Sequence, residues 1–558
     1  MRRRTFLTVG AAVAGTTGLG LGKVFSQLLD PDNLPPNLDV RPSPPVTPFV
    51  APLQIPAVKT PVPLRALKPG PVASRHQRFE EYFPRKVYTL RERQFLHRYH
   101  PEYQPTPSWG YDGAVPGPTF HARYGEPVLI RRFNQLPARH TGYGLPSTTM
   151  HLHNMHTASE SDGFPMDFVE SGQYWDHHYA MFPAGFDPRE QLSTLWYHDH
   201  RMDFTAANVY AGLTGFFLAF DDDKDTGDEN DPRPGAFRLP SGKYDVPLIL
   251  HDVLFDPDGK AYFDIYNVRG FLGDRYTVNR IIQPYFQVEA RKYRFRIVNG
   301  GPSRFYELAL SNGHPLTVIS GDGNLLPAPI ELDALPMAVA ERNDVIIDFS
   351  RYQPGTQIVL LNRLEQYDGA GPSGRRLDPG EPVMRFDVIP SQGPDNSRVP
   401  ESLIPLPDIN LTEVVREREW VFDFTGGLWT INNQTADMNV PAAVVDQGTA
   451  EIWTIRNAGG SWSHPVHFHF EEFQFLEING KPVPDGSLYK SRKDVFWLGP
   501  GDTAKIFLRF RNFHGQYILH CHNVVHEDHA MMLRWDIADP EGGVREGQIP
   551  FGRYICRS

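Results

Sequence analysis

The alternation of apolar and polar residues repeats in three similar stretches of the chain. Each contains a proline, a short apolar strand, a turn and an alternating strand that ends at an asparagine, and they run over residues 113–134, 280–300 and 439–459. Alternation with a period of two is typical of strands that bury one face. The spacing of about 160 residues is far longer than the 20–50 residues of a solenoid repeat. We therefore predict three copies of one β-sandwich or barrel domain.

Composition supports a chain of short strands and divides it into segments. The 52 prolines and 48 glycines among 558 residues favour many short strands and turns over long helices. Residues 30–74 are rich in proline and lack periodicity, which predicts an extended linker or a strap over the surface. Of the two cysteines, Cys556 is interpreted as an incidental terminal thiol. We place the three domains at residues 75–225, 226–395 and 396–558.

The first 29 residues predict an export signal. Arg3, Arg4, Phe6 and Leu7, followed by a weakly apolar run rich in glycine and alanine, fit the twin-arginine pattern. We therefore expect a periplasmic or secreted protein that is exported after folding. No other run is long and apolar enough to span a bilayer, so stable membrane insertion is not expected. The net charge of −11 argues against nucleic acid and anionic membranes as partners.

Candidate chemistry is concentrated in the stretch QYILHCHNVVHEDHAMM near the C-terminus. Its first half predicts a strand on which His520 and His522 point to one face and Cys521 to the other. Cys521 is followed by His526 and Met531 in the next loop. Thiolate, imidazole and a weak axial thioether form the ligand set of a blue-copper electron-transfer site. One short segment thus serves two different sites.

Histidine pairs recur outside this stretch. The His-x-His pairs of the chain are His151 with His153, His198 with His200, His467 with His469, and His520 with His522. The blue site needs a second imidazole, and His464 is the natural choice because Pro465 separates it from the strand that carries the next pair. Eight imidazoles then remain, too many for one ion with about four to six ligands. They predict a cluster of copper ions between the first and last domains, whereas the middle domain, with only His251 and His314, is interpreted as a spacer.

Complete motifs make the chain resemble the three-domain multicopper oxidases, in the branch of the bacterial spore-coat laccases and bilirubin oxidases. The motifs are His-x-His twice, His-Pro-x-His-x-His and His-Cys-His-x3-His-x4-Met, in family order. Stretches such as LWYHDHRMDFTAANVYAGLTGFF and AERNDVIIDF are also similar, and the likeness covers roughly residues 80–540. It implies an all-β fold of three cupredoxin-like Greek-key domains. The first cluster reads HLHN where the branch more often has HLHG, which we interpret as a local backbone difference.

The resemblance implies copper as the cofactor, with four ions per chain, and assigns ligands motif by motif. The matches are His464, Cys521, His526 and Met531 for the type 1 copper, His151 and His467 for the type 2 copper, and His153, His198, His200, His469, His520 and His522 for the type 3 pair. The family spacing favours Met531 over Met532. Nearby histidines that are not expected to be ligands are His156, His177, His178 and His529.

The resemblance also implies an enzyme that passes electrons to dioxygen. A reductant docked near His464 or His526 would deliver single electrons, which pass through Cys521 to His520 and His522, where dioxygen is reduced to water. Three hypotheses stay open: a laccase-like oxidase of phenols, aminophenols or bilirubin-like pigments, a metallo-oxidase of Cu(I), Fe(II) or Mn(II), and a copper-free scaffold. The complete ligand set argues against the scaffold. The 11 methionines form no rich run, which argues against a cuprous site.

Two carboxyl groups are candidates for handling protons. Reduction of dioxygen to two waters consumes four protons, and imidazoles bound to copper cannot supply them. Glu527 directly follows His526 in the loop after the strand, and Asp162 lies in the turn SDGF after His153. Both resemble the acidic residues that handle protons near the trinuclear site in this family. The alternative for both residues is a helix-capping or turn-forming role, which is natural for an Asp before Gly such as Asp162.

Overall fold

A computed structural model describes residues 42–138 and 143–539, together with the backbone of residues 554–555. Strands make up 43% and helices 8% of it, which confirms the predicted all-β class. The predicted export signal, residues 30–41 of the predicted strap and Cys556 lie outside the described residues. Within the described part of the chain, no helix has the length and apolar character needed to cross a membrane.

The first ten strands build two main sheets and a two-stranded ribbon. They are β1 (Lys86–His97), β2 (Thr106–Tyr111), β3 (Phe120–Arg123), β4 (Val128–Asn134), β5 (Ser147–Thr148), β6 (Met150–Leu152), β7 (Val169–Glu170), β8 (Gln173–Tyr179), β9 (Thr194–Asp199) and β10 (Thr214–Phe220). One sheet contains β2-β1-β4-β8, the other has the order β3-β10-β9-β6, and β5 pairs with β7.

The next thirteen strands build a second pair of sheets. They are β11 (Asp245–Phe255), β12 (Ala261–Tyr262), β13 (Arg275–Val278), β14 (Ile281–Ile282), β15 (Tyr285–Glu289), β16 (Lys292–Asn299), β17 (Tyr306–Leu310), β18 (Leu316–Gly321), β19 (Asn324–Leu332), β20 (Leu335–Met337), β21 (Arg342–Asp348), β22 (Gln357–Leu364) and β23 (Arg376–Ile389). The sheet orders are β14-β13-β11-β16-β21-β18-β19, with β12 on β11, and β15-β23-β22-β17-β20.

The last pair of sheets contains twelve strands. They are β24 (Val414–Thr425), β25 (Leu428–Ile431), β26 (Ala443–Asp446), β27 (Ala450–Asn457), β28 (His464–Phe468), β29 (Phe473–Ile478), β30 (Lys481–Pro482), β31 (Arg492–Lys493), β32 (Val495–Leu498), β33 (Thr503–Arg509), β34 (Gly515–Cys521) and β35 (Met532–Ala538). The sheet orders are β25-β24-β27-β33-β29-β30, with β31 on β29, and β26-β35-β34-β28-β32. Strand β36 (Tyr554–Ile555) returns to the first domain and pairs with β8.

The three sequence repeats correspond to β3 and β4, to β15 and β16, and to β26 and β27, and each second strand ends at the repeated asparagine. In all three copies this second strand pairs in parallel with the first long strand of its domain. Asn134, Asn299 and Asn457 are buried and make equivalent hydrogen bonds. Each side-chain oxygen accepts a hydrogen bond from the N–H two residues later, and each amide donates to a carbonyl of a following loop. The repeat therefore encodes a shared strand-to-loop junction.

Helices are few and short in the described residues. The α-helices are α1 (Ser159–Asp162), α2 (Thr205–Ala211) and α3 (Val524–Asp528), and the 3-10 helices are Leu64–Ala66, Val72–Arg75, Ala184–Phe186, Pro188–Glu190, Gly242–Tyr244, Phe349–Arg351 and Leu411–Glu413. The three largest apolar clusters each lie mainly within one pair of sheets. The predicted domain boundaries near residues 225 and 395 fall between these sheet pairs.

The described part of the predicted strap crosses from one domain to another. The N–H of Leu53 donates to the carbonyl of Tyr285 in the second domain (2.8 Å), and the carbonyl of Ala57 accepts from Thr119 in the first (2.8 Å). Backbone hydrogen bonds at separate points thus hold this proline-rich segment in place, although it is not a strand of any sheet. The strap connects the first two domains on their outer surface.

Candidate metal centre

The His-x-His pairs sit at the ends of four strands. Strands β6 and β9 lie side by side in the first domain, and β28 and β34 lie side by side in the last. In every pair the first histidine lies within the strand and the second follows directly after its last residue. His151 lies opposite His198, and His467 lies opposite His520. Because side chains alternate along a strand, each two-stranded unit presents four imidazoles on one face.

These two faces meet between the first and last domains. Two groups of three imidazoles have ring nitrogens that all lie within 4.8 Å of one another, namely His153, His198 and His522, and His200, His469 and His520. Between them, the Nε2 atoms of His151 and His467 are 3.2 Å apart. His153 is also within range of these two rings, and Asp162 is within range of His151 and His469. Every group contains residues from both domains.

The hydrogen bonds of these rings show that the groups fit metal ions. The Nδ1 of His151 donates to the carbonyl of Asp162 (2.6 Å), and the Nδ1 of His467 donates to the carbonyl of Asp494 (2.9 Å). Since each ring then carries its proton on Nδ1, the Nε2 atoms face each other with lone pairs. Two lone pairs 3.2 Å apart cannot hydrogen-bond to each other. A cation between them satisfies both, and imidazole suits copper.

The same arrangement recurs in the two groups of three. The Nδ1 atoms of His198 and His520 lie 2.7 and 3.2 Å from the carbonyls of the residues that follow them. Nε2 of His153 lies 3.0 Å from Nε2 of His198. Burial, with the neighbouring histidines, lowers the pKa of His198 to about 3. Burial lowers the pKa of His200 to about 4. These rings are therefore neutral at pH 7, the state in which imidazole binds a metal.

Cys521 lies on the opposite face of β34 from this cluster. Its Sγ is 3.4 Å from Nδ1 of His464 and 3.6 Å from Nδ1 of His526. All three side chains are fully buried, and burial raises the pKa of the Cys521 thiol well above its usual value. A buried thiol between two neutral imidazoles is stable as a thiolate only when a metal compensates the charge. The donor set fits copper.

Two adjacent methionines lie in different surroundings. Met531 is buried in the apolar cluster that contains Cys521, and its backbone carbonyl accepts from the Cys521 N–H (3.1 Å). Met532 begins β35 and packs in a separate cluster with Phe164 and Ile518. Alternation along the chain therefore directs the two thioethers apart. Met531 is the one on the side of the thiol.

Comparisons with known proteins agree with this geometry. Family models described as multicopper oxidase match residues 96–224, 269–366 and 408–541. The bilirubin oxidase of Albifimbria verrucaria is 34% identical over 501 residues, covering 88% of this chain and 81% of that protein. The laccase of Bacillus subtilis (strain 168) is 31% identical, covering 81% of this chain and 94% of that protein. This chain belongs to the multicopper oxidases.

The fold comparison supports the same architecture. The multi-copper oxidase from Pediococcus acidilactici matches with a TM-score of 0.73 at 24% identity, covering 90% of this chain and 95% of that one. The predicted cupredoxin-like domains are confirmed. The protein is therefore a copper-dependent oxidoreductase that uses dioxygen, in a family whose standard complement is four coppers per chain.

In this multicopper oxidase, the imidazoles beside Cys521 are sealed from solvent. His464 and His526 are both 0% exposed. Trp429 stacks on His526 with ring centroids 3.7 Å apart, and half-buried Trp462 packs edge-on against the same ring at 5.5 Å. The Nε2 of His526 lies 2.9 Å from the carbonyl of Arg269. A reductant that approaches these histidines would therefore contact the indole of Trp462 or the covering loops, and not the imidazole rings themselves.

Glu527 lies between two rings of the trinuclear region. Its carboxyl oxygens are 3.0 Å from Nδ1 of His520 and 3.4 Å from Nδ1 of His200. Burial raises the pKa of Glu527, but the two imidazoles outweigh burial and hold it below its usual value. The residue belongs to α3 and not to the predicted loop, because Asn523 caps the helix by accepting from the Val525 N–H (3.3 Å).

Asp162 lies on the other side of the cluster. Its Oδ2 accepts from Nδ1 of His469 (2.7 Å), and its backbone carbonyl accepts from His151. Burial raises the pKa of the carboxyl well above its usual value. Asp162 is the last residue of the short helix α1, whereas the sequence placed it in a turn. Gly163 follows with φ at +85°, where a Cβ would collide with the Met150 carbonyl, so glycine is needed to end the helix.

The histidines that were not expected to be ligands have other partners. His156 contacts the Asn512 side chain (3.0 Å), and the rings of His177, His178 and His529 lie within hydrogen-bond distance of backbone carbonyls. None of the four belongs to a metal-binding group among the described residues.

Sequence reasoning missed three polar residues and one aromatic residue at the site. Asp494 contacts His153 and His467. Arg342 and Asp322 of the middle domain contact Asp494 and its neighbours. Trp429 covers His526. None lies within a histidine motif. The charged run RKD, residues 492–494, directly before an apolar strand could have indicated such residues, because charged side chains are seldom buried without partners.

Proposed function

We propose that this multicopper oxidase is laccase-like and takes electrons from aromatic organic reductants such as phenols, aminophenols or bilirubin-like pigments. Copper held by the residues described above supplies one-electron acceptance from the reductant and the four-electron reduction of dioxygen to water. The observation that carries the proposal is the aromatic and apolar character of the exposed loops over His464 and His526. The names of the bilirubin oxidase and laccase relatives point in the same direction.

Four segments from two domains meet over these two histidines, namely residues 264–270 and 367–371 of the middle domain and residues 423–429 and 458–463 of the last. The carbonyl of Val268 accepts from the indole N–H of Trp429 (2.7 Å), and the N–H of Ser463 donates to the carbonyl of Ala370 (2.7 Å). A Cβ at Gly369 would lie 2.1 Å from the carbonyl oxygen of Arg269, so the two middle-domain loops touch at their backbones. The cover is therefore continuous and has a fixed shape.

The outer side of this cover exposes apolar groups. Tyr367 is 73%, Tyr266 is 58% and Leu428 is 42% exposed, and Trp462 of the same cover is half-buried. Flat aromatic molecules gain most from such a surface, because both ring burial and ring stacking contribute. Trp462 and Trp429 pack edge-on with centroids 4.7 Å apart, and Trp429 stacks on His526. An electron from a molecule docked here has a short path to the ligand ring.

A metal ion as reductant has less support at this surface. Among the described residues, the groups that could hold a metal are the buried ones already described. The carboxylates of the covering segments are Asp264, Asp368 and Asp423, and each accepts a hydrogen bond from the backbone of its own loop. Soft methionine ligands, which would favour Cu(I), are also absent from the exposed residues of the four covering segments.

The test is a comparison of kcat/KM for a dimethoxyphenol, bilirubin, Mn(II) and Cu(I) under the same conditions. We expect both organic reductants to exceed both metal ions by at least tenfold. Replacing exposed Tyr367 by serine should raise KM for the organic reductants and leave their kcat unchanged, because it removes ground-state contact only. Faster turnover of Mn(II) or Cu(I) than of both organic reductants would overturn the assignment.

We also propose that Glu527 and Asp162 handle the protons consumed by dioxygen reduction. Each carboxyl lies against imidazoles of both domains and is buried, so it reaches the reacting region without exposing it to bulk solvent. A positioned general acid typically contributes about 10²–10⁴ in rate. The variants that test the two residues separately are described in the Discussion.

Export by the twin-arginine route is a further proposal, supported by Arg3, Arg4, Phe6 and Leu7. Such export fits a protein whose metal cluster is closed between two domains, because folding and metal loading then precede transport. Changing Arg3 and Arg4 together to lysine should leave an active oxidase in the cytoplasm. Unchanged activity in the periplasmic fraction of that variant would overturn the proposal.

A further inference from the structure

The middle domain reaches the trinuclear region through two fully buried side chains. Arg342 is the first residue of β21, and Asp322 directly follows the last residue of β18. These two strands pair with each other. The Arg342 N–H donates to Oδ1 of Asp322 (3.1 Å), and Nη2 of Arg342 donates to the Asp322 carbonyl (2.8 Å). The guanidinium is thus fixed within its own domain before it contacts another. Nη1 also donates to the Ala340 carbonyl (3.2 Å), so both Nη atoms are held within the domain and the planar group has little freedom left.

The same guanidinium also binds a carboxylate of the last domain. Nη1 of Arg342 donates to Oδ1 of Asp494 (2.6 Å). The second oxygen, Oδ2, lies 3.1 Å from Nδ1 of His153, and the backbone carbonyl of Asp494 accepts from Nδ1 of His467 (2.9 Å). One residue therefore holds an imidazole from each of the two copper-binding domains. Its carboxylate orientation is set by the middle domain.

Asp322 contacts both neighbours of Asp494 in the chain, one through its backbone and one through its side chain. Its Oδ2 accepts from the N–H of Val495 (3.2 Å) and lies 2.9 Å from the ammonium of Lys493. These contacts hold the segment that presents the Asp494 carbonyl to His467. The partner of Nδ1 decides how an imidazole turns its Nε2, and such partners affect metal affinity by about 10–100-fold.

Asn154 provides an independent contact to the same unit. It follows His153, has φ at +64°, and its amide donates to the Asp322 carbonyl (2.7 Å). Asparagine tolerates the left-handed region where glycine is most common. This is the position at which the chain reads HLHN. The backbone difference predicted there is thus accompanied by a side-chain bond that joins the first domain to the middle one.

We propose that Arg342 and Asp322 of the middle domain are positioning residues for the trinuclear site, acting through Asp494 on the rings of His153 and His467. This inference rests on the proposed role of these two histidines as copper ligands. The middle domain is then part of the metal-binding structure and not only a spacer. Arg342 touches no imidazole itself, so its replacement should alter the trinuclear coppers and leave the type 1 copper intact.

The experiment compares Arg342→Gln with Arg294→Gln in the full-length enzyme. Arg294 is a matched control, because it is also a fully buried arginine of the middle domain, paired with Asp225 and Asp344 at the interface with the first domain. The measurements are total copper, blue absorption, the electron paramagnetic resonance spectrum of the type 2 copper, the near-ultraviolet absorption of the type 3 pair, and Tm. Both variants should lower Tm, since each leaves buried carboxylates unpaired.

We expect Arg342→Gln to keep its blue colour, to change the type 2 spectrum and to bind trinuclear copper at least tenfold more weakly. Arg294→Gln should keep all four signals. Arg342→Lys, which restores the charge but only one contact, should recover part of the type 2 spectrum, and Asn154→Gly should shift it slightly. An unchanged type 2 spectrum and copper content in Arg342→Gln would overturn the inference, as would equal copper loss in both glutamine variants. Absence of trinuclear signals from the unmodified protein would instead refute the proposed function.

Discussion

The type 1 region and the trinuclear region are assembled in opposite ways. The four residues matched to the type 1 copper come from one domain, and Cys521 and Met531 lie in that domain's apolar core. The eight histidines of the other region come from two domains, and two of them, His153 and His467, contact oxygens of Asp494, which a third domain helps to fix. The first site depends on local packing, whereas the second depends on how the domains are held together. Changes to one should therefore be separable from changes to the other.

Cys521→Ser should produce the largest difference between the two regions. Serine lacks the thiolate that binds copper strongly and gives the blue colour, so that colour and substrate oxidation should both be lost. The neighbouring rings of His520 and His522 point to the other face, and about three coppers should remain bound. Metal analysis and absorption spectra check both expectations. A variant that loses all its copper would show that the two sites are not independent.

The contrast also explains what the sequence could predict. The type 1 residues and the histidine pairs lie in short motifs with fixed spacing, and strand alternation alone separates Cys521 from His520 and His522. The three-domain repeat follows from alternation and from the repeated asparagines. Arg342 and Asp322 could not be predicted, because their role depends on contacts with Asp494 and its neighbours, which lie more than 150 residues away in the chain. The burial of His464 could not be predicted either, because the loops that cover it contain no sequence motif.

Glu527→Gln should affect only the trinuclear region. The amide keeps the shape of the side chain but cannot take up a proton and pass it on, so reoxidation by dioxygen should stall and kcat should fall at least tenfold. Copper content, blue colour and the rate of type 1 reduction should stay normal. Stopped-flow reoxidation of the fully reduced enzyme between pH 5 and 8 is the measurement. A rate equal to that of the unmodified enzyme across this range would exclude Glu527 as a group that passes protons to the site.

Asp528→Asn is the control for that experiment. Asp528 is the adjacent residue and is also buried, but its oxygens accept from the N–H groups of Thr205 and Ala206 at the start of α2 (both 2.9 Å). It belongs to the contact between domains and not to the histidine cluster. Its variant should lower Tm while reoxidation stays normal. Stalled reoxidation in both variants would point to a structural cause.

Asp162→Asn should have a similar effect with a different pH dependence. Burial raises the pKa of Asp162, so the carboxyl keeps its proton at low pH and loses it as pH rises through that raised pKa. In the unmodified enzyme, reoxidation should therefore slow on the alkaline side. Asparagine cannot titrate, so the variant should be slower by about tenfold at low pH and should lack this alkaline decline. A pH profile parallel to that of the unmodified enzyme would contradict the assignment.

Met531→Leu should have the smallest effect and sharpen the comparison within the type 1 region itself. A weak axial thioether contributes little to holding the copper but tunes its reduction potential. We expect the variant to keep its copper and blue colour and to show a higher type 1 potential by redox titration. Met532→Leu is the matched control, because Met532 packs with Phe164 and Ile518, away from the thiol. Its potential should stay unchanged. A shift in Met532→Leu without one in Met531→Leu would reverse the assignment of the axial ligand, and complete loss of type 1 copper in Met531→Leu would show that the thioether holds the metal.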